Sequence, residues 1–302
     1  MAKTKSDTIV MGEEELSLYH ALIGHYLALR KTYSSSDQID TLFPEEEPVP
    51  TLSIKLVPWG TGTDEEIGAM IDGYYSGDLT LEQIQSVWHV GDAREINIDE
   101  IARSDSYVGE PHTAQTIEIE ILDFEHDELV TSTNEKNNSL LTVDLKICLS
   151  NSAGSNELEG GAMHSSNIAS GWENCDRRNW CNEIFYNVLP EYIKNRIKQV
   201  NKYRSAGGQN STINTTQDYC FILSEVEVFG TNSYSWEGEG TQYSYYNINN
   251  KNKTAANGVS TSWWLCSPCK GRTSGICEVN NNGECSYADA PASLGLVPAF
   301  CL

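Results

Sequence analysis

The stretch "STSWWLCSPCKGRTSGICEVNNNGECSYADAPASLGLVPAFCL", Ser260–Leu302, decides the fold. Trp263, Trp264 and Leu265 begin one apolar run and Val297–Leu302 form another, both with the bulk and short length of buried strands. Successive strand side chains point to opposite faces, so one of the two tryptophans is expected in the core. Between the runs, Asn280–Asp289 ("NNNGECSYAD") has the residues of a hairpin turn, and also those of an adaptable contact surface. The stretch therefore predicts a core strand, a closing strand, and an exposed hairpin or loop that either meets a ligand or only turns the chain.

Cys266 and Cys269 in this stretch have half the spacing of a zinc site, which Cys277 and Cys285 could complete. No His follows His164, and nine cysteines is an odd, sparse count, so a full disulfide framework is disfavoured. Free thiols, a local disulfide or a zinc all stay open for these four. Cys148, Cys181, Cys220 and Cys301 lie in apolar runs and are expected to be buried thiols.

Working outward, the 302 residues carry a net charge of −23, with 27 acidic and 7 basic residues in Met1–Val130. Nucleic-acid binding is not expected, because phosphate contact needs clustered Lys and Arg. No apolar stretch of about 18 residues and no leader pattern is seen, so neither membrane insertion nor secretion is expected.

Glu13–Lys31 reads as a helix with acids in its first turn and bases in its last. An acidic, proline-containing linker follows, and the helix must cover its apolar stripe on this domain, on a copy of itself or on another protein. Residues 1–50 are thus expected to be an attachment or oligomerisation segment, and 51–302 the main domain. In that domain Asp64–Gly77 and Thr80–Trp88 read as helices, and Thr116–Phe124 and Leu140–Leu149 as strands. Arg178–Pro190 and Glu191–Gly208 read as a helix pair, the second with Lys194, Arg196, Lys198, Lys202 and Arg204 along a solvated or acid-docking face. Tyr219–Gly230 reads as a strand. Thr231–Ser262, rich in Tyr, Asn, Ser and Gly, is expected to form no core element.

The chemistry of known catalytic motifs is missing. No nucleophile elbow, phosphate loop or dinucleotide fingerprint is present, and "EGEG" at Glu237–Gly240 would repel a phosphate. Tyr and Trp supply contact area with few rotors to freeze, and Ser, Gly and Asn supply adaptable hydrogen bonds. That mixture marks the loops at 231–262 and 278–295 as a recognition surface. The candidate ligand-binding residues are Tyr234, Trp236, Tyr243, Tyr245, Tyr246, Asn280, Asn281, Asn282, Tyr287 and Asp289. No catalytic residue, metal or cofactor is expected.

Taken in order, "DEEIGAMIDG", "WHVGD" with Arg94, "LTVDLKICL", "GWENCDRRNWCNEIFYNVLP", "LSEVEVFG", "EGTQYSYY", "WWLCSP", "VNNNGE" and "VPAFCL" resemble an uncharacterised domain family frequent in gut bacteriophages, prophages and Firmicutes. Cys266 stands where that pattern has Arg. The resemblance implies an α+β fold, a C-type-lectin-like domain behind a helical N-terminal extension. It implies a non-enzymatic virion surface protein, in capsid decoration, a fibre or the tail, made in the bacterial host cytoplasm. The partners implied are other virion proteins through the N-terminal segment, a host cell-surface glycan or protein, and further copies of the chain. A structural brace and a thiol- or metal-dependent prophage enzyme are the alternatives.

Overall fold

Thr63 starts a helix, Asp64–Ser76, with a reciprocal cap in which its hydroxyl accepts from Glu66 N and the Glu66 carboxylate accepts from Thr63 N. Gly77, at φ 88°, ends it. The structure is a computed structural model and describes residues 54–102, 111–149, 161–165 and 171–302. The helix expected at Glu13–Lys31 and its linker lie outside the described residues.

The strands in chain order are β1 (Ala93–Ile98), β2 (Gln115–Phe124), β3 (Glu128–Thr133), β4 (Lys136–Asn138), β5 (Leu141–Leu145), β6 (Val200–Gly207) and β7 (Asn210–Asp218). They continue as β8 (Cys220–Phe221), β9 (Lys253–Thr254), β10 (Ser260–Thr261), β11 (Trp263–Pro268), β12 (Gly275–Val279), β13 (Cys285–Asp289) and β14 (Ala299–Cys301). The fold is α+β and mostly β, and these strands pair antiparallel.

The main sheet runs β1-β2-β5-β14-β8, so the last strand of the chain fills its interior: Phe300 lies opposite Val143 on one side and Cys220 on the other. A second sheet, β4-β3-β6-β7, a third, β11-β12-β13, and the two-stranded β10-β9 complete the scaffold. Trp263 bridges to Gly295, which ties the third sheet to the segment leading into β14. Both Trp263 and Trp264 are fully buried, where alternation predicts one, because β11 is covered on both faces. Their indole N–H groups donate to Lys251 O at 3.0 Å and Gly161 O at 2.7 Å, which satisfies the polar atom each takes inside.

Three expected elements differ. The expected helix Glu191–Gly208 ends at Lys194 and gives way to β6 at Val200. Its four-residue apolar spacing lasts only through Ile197, and from Val200 the buried positions alternate, with Lys202 and Arg204 drawn inward by acidic partners. The expected strand Tyr219–Gly230 is a strand only at Cys220–Phe221 and is then a helix, Glu225–Phe229, capped reciprocally by Ser224 and Glu227. The helix from Asp176 to Val188 passes through a π turn at Trp180–Phe185, so Phe185 rather than Ile184 joins Trp180 inside, ring on ring at 5.7 Å.

Candidate functional site

Charge enters the core where β3 and β6 meet. Lys202, inward on β6, places its ammonium 2.6 Å from Asp127, 2.7 Å from Glu227 and 3.0 Å from the Tyr243 hydroxyl. Arg204, two residues on and on the same face, forks onto Glu227 at 2.9 and 3.2 Å. Tyr243 closes the ring by donating to Asp127 at 2.9 Å. Burial opposes the charge of Asp127, but Lys202 and His126 beside it hold its carboxyl well below the usual range. Glu227 is likewise lowered against burial by Arg204 and Lys202. An ammonium has three protons, and these three acceptors take them, so Lys202 holds β6 to Asp127, Glu227 and Tyr243.

A second buried cluster ties the Tyr-rich segment to the main sheet. Lys253 on β9 donates to Glu120 and Asp144 at 2.9 Å each and to Leu145 O at 2.6 Å, while Tyr246 donates to Asp144 at 2.5 Å. Two carboxylates share one ammonium here. Burial, partly offset by Lys253 and reinforced by Glu120, pushes the Asp144 carboxyl up to about 7.

These clusters correct the expected surface. Tyr243 and Tyr246 are fully buried, and their hydroxyls belong to the two ionic clusters. Tyr245 is half-buried, edge-on to Tyr246 at 5.0 Å. Thr231–Ser262 does contribute core, through the short helix Ser244–Ile248 and through Lys253. Aliphatic residues are few in that segment, but an aromatic ring with a hydrogen-bonded hydroxyl fills a core position equally well. Lys202 and Arg204 leave the expected solvated face in the same way, since paired charges can be buried.

The other candidate residues divide in two. Tyr234, Trp236, Tyr287 and Asp289 come together at the open end of β12 and β13. The Tyr234 and Tyr287 rings lie 5.5 Å apart, and the Arg272 guanidinium sits 3.9 Å over Tyr287 while also donating to its hydroxyl. The Lys270 ammonium lies 5.2 Å from the Trp236 ring centre. Asp289 closes the edge by accepting from Ser274 at 2.7 Å. Neither Lys270 nor Arg272 has a carboxylate partner among the described residues.

Three loops converge to make this patch. Lys270 N donates to Tyr234 O, Gly271 N to Gly208 O, and the Trp236 indole to Gly207 O and Gly208 O. A Cβ on Gly208 would stand 2.2 Å from Arg272 O, so only glycine lets the loops approach this closely. Buried Glu225 anchors the underside, accepting from Tyr234 N at 3.1 Å and Ser235 N at 2.7 Å.

Asn280, Asn281 and Asn282 form the turn joining β12 to β13. Asn280 Oδ1 accepts from Asn282 N at 2.9 Å and Glu284 N at 3.0 Å, while Asn281 and Asn282 are exposed.

Of the four terminal thiols, Cys277 and Cys285 meet at Glu225 and Cys266 lies apart. Cys285 and Cys277 donate to Glu225 at 3.1 and 3.9 Å, while Cys266 lies in the core near Arg204. A hydrogen bond with Cys285 and then burial push the Cys277 thiol well up, and burial does the same to Cys266, the opposite of what an activated nucleophile needs. Among the described residues no three His, Cys, Asp or Glu side chains are placed to hold a metal.

A cleft of about 330 Å³ that no sequence signal marked opens above the Lys202 cluster, between His126–Glu128, Asn201–Tyr203 and Gly238–Thr241. His126 lies over Tyr243 with ring centres 4.1 Å apart, and its Nε2 meets the Thr241 hydroxyl at 3.0 Å.

Residues 136–302 match the family described as "Domain of unknown function (DUF6273)". No curated protein and no solved structure matches the chain.

Proposed function

The chain belongs to the DUF6273 family, and we propose that it is a non-enzymatic binding protein of a bacteriophage virion, made in the bacterial host cytoplasm. In this reading residues 51–302 form a C-type-lectin-like domain that presents its loops to a host-surface glycan or protein. Residues 1–50 attach it to other virion proteins or to further copies of the chain. The observation that carries the reading is the exposed patch of Tyr234, Trp236, Lys270, Arg272 and Tyr287, assembled from three loops and anchored below by Glu225. Aromatic faces and cations without carboxylate partners are the groups that dominate contact energy in small recognition surfaces. Buried Glu225 fixes the support, since it accepts from the Tyr234 and Ser235 N–H groups and from the Cys285 thiol of β13.

The test is adsorption of the purified protein to host cells, comparing the natural chain with the Tyr287→Ala, Arg272→Ala double variant. Binding should fall at least tenfold while the unfolding midpoint stays put. Equal adsorption by both proteins rejects the patch. Antibody labelling in electron micrographs tests location, and label confined to unassembled protein in the cytoplasm rejects the virion role.

A further inference from the structure

The loop that gives Tyr234 and Trp236 to the patch runs on into Gly238–Thr241, one wall of the cleft above Lys202. The residues lining this cleft include none of the patch residues, so what it binds is a separate question from the virion reading. We propose that the cleft is a second binding site and that it takes a neutral polyhydroxylated ligand, a single pyranose unit or a polyol of that size.

The charge balance of the floor selects against ions. Asp127 and Glu227 are matched by Lys202 and Arg204; the three protons of the Lys202 ammonium are engaged, and Arg204 keeps only a buried Nε without a partner among the described residues. An anion would meet only Lys202 and His126, each already facing a carboxylate, His126 at 3.5 Å from Asp127, and would also face the exposed carboxylate of Glu128. A ligand cation would find Glu128 alone, with the Lys202 ammonium beneath it.

The rim suits hydroxyl groups, each of which donates and accepts. The half-buried Asn201 amide has no hydrogen-bond partner among the described residues, so its donor and acceptor sides are both unused. One Glu128 oxygen accepts from the Tyr203 hydroxyl at 2.6 Å, which leaves the other for a ligand hydroxyl. Thr241, already joined to His126, adds a hydroxyl on the facing wall. Gly238 and Gly240, at φ 97° and 96°, keep that wall bare. The volume lies at the small end of ligand-binding cavities, enough for one ring and too little for an extended chain.

Calorimetric titration of the full chain tests this with methyl glucoside, methyl galactoside and methyl N-acetylglucosaminide as neutral probes, and butylamine and acetate as ionic ones. At least one glycoside should saturate in the millimolar range. Its affinity should drop about tenfold in Asn201→Leu and in Thr241→Val, each of which deletes one hydrogen-bonding group, and should be unchanged in Tyr287→Ala. The unfolding midpoint of each variant is read in parallel, and Asn201→Ala replaces any variant that fails to fold. The proposal is overturned if no glycoside saturates, if butylamine or acetate binds more tightly, if Asn201→Leu and Asn201→Ala both bind as the natural chain does, or if Tyr287→Ala alone abolishes binding.

Discussion

Lys202 and Asp127, 75 positions apart in the chain, meet at 2.6 Å inside the protein, where they are 2% and 5% exposed. Neither charge is tolerable there alone. Together with Glu227, Arg204 and Tyr243 they weld β6 to the start of β3 and to the helix Glu225–Phe229.

Replacing Lys202 by Met should therefore cost about 3–5 kcal/mol, because Asp127 loses its nearest cation and stays buried. Lys270→Met, at an exposed position without a carboxylate partner, should stay within about 0.5 kcal/mol. Urea unfolding of the two variants checks this, and similar midpoints would mean that the interior ion pair contributes nothing.

The Asp144 carboxyl gives stability a slope in pH. Its folded value of about 7 stands above an unfolded value of about 3.9, so the folded state keeps a proton that the unfolded chain releases. That contribution is full below about pH 4 and is lost as pH rises through about 7. Asp127 acts with the opposite sign, since its lowered carboxyl stabilises above its unfolded value and loses this as pH falls below about 4. Between the two limits, midpoints of the natural chain should fall with rising pH relative to Asp144→Asn, and parallel curves would contradict the assignment.

The role of Asn280 can be separated from ligand contact. Its side chain satisfies two backbone N–H groups of the hairpin, so Asn280→Ala should cost about 1 kcal/mol and leave host-cell adsorption unchanged. Lost adsorption with unchanged stability would make the amide a contact residue instead.

Thiol accessibility gives a count. All nine cysteines are free, eight are buried and Cys285 is partly exposed. A disulfide-exchange reagent on the native protein should label one thiol quickly, and peptide mapping should find it at Cys285. Rapid labelling of several thiols would show that the third sheet opens readily.

The elements legible in the sequence were those whose pattern is local. The capped helix at Asp64, the alternating strand at Gln115–Phe124 and the apolar run at Trp263 needed no distant partner to be read. Lys202 and Arg204 were illegible as interior residues because their acids come from Asp127 and Glu227, far along the chain or beyond an intervening strand. Tyr243 and Tyr246 look alike in sequence to Tyr234, and only the placement of Asp127 and Asp144 separates interior hydroxyls from displayed rings. One missed helix had left a signal: Ser224 and Glu227 have capping-box spacing, which outranks the β preference of the two valines between Glu225 and Phe229. The cleft had none, because its walls come from three separate stretches.

β14 lies between β5 and β8, which ties folding to the order of synthesis. While the chain is being made, β2 can pair with β5 early, but the far edge of β5 has no neighbour until residues 299–301 leave the ribosome. Over that interval the nascent domain carries an open sheet edge of the kind that recruits other chains. A pause in translation before β14 has emerged would therefore favour aggregation far more than a pause after it has emerged.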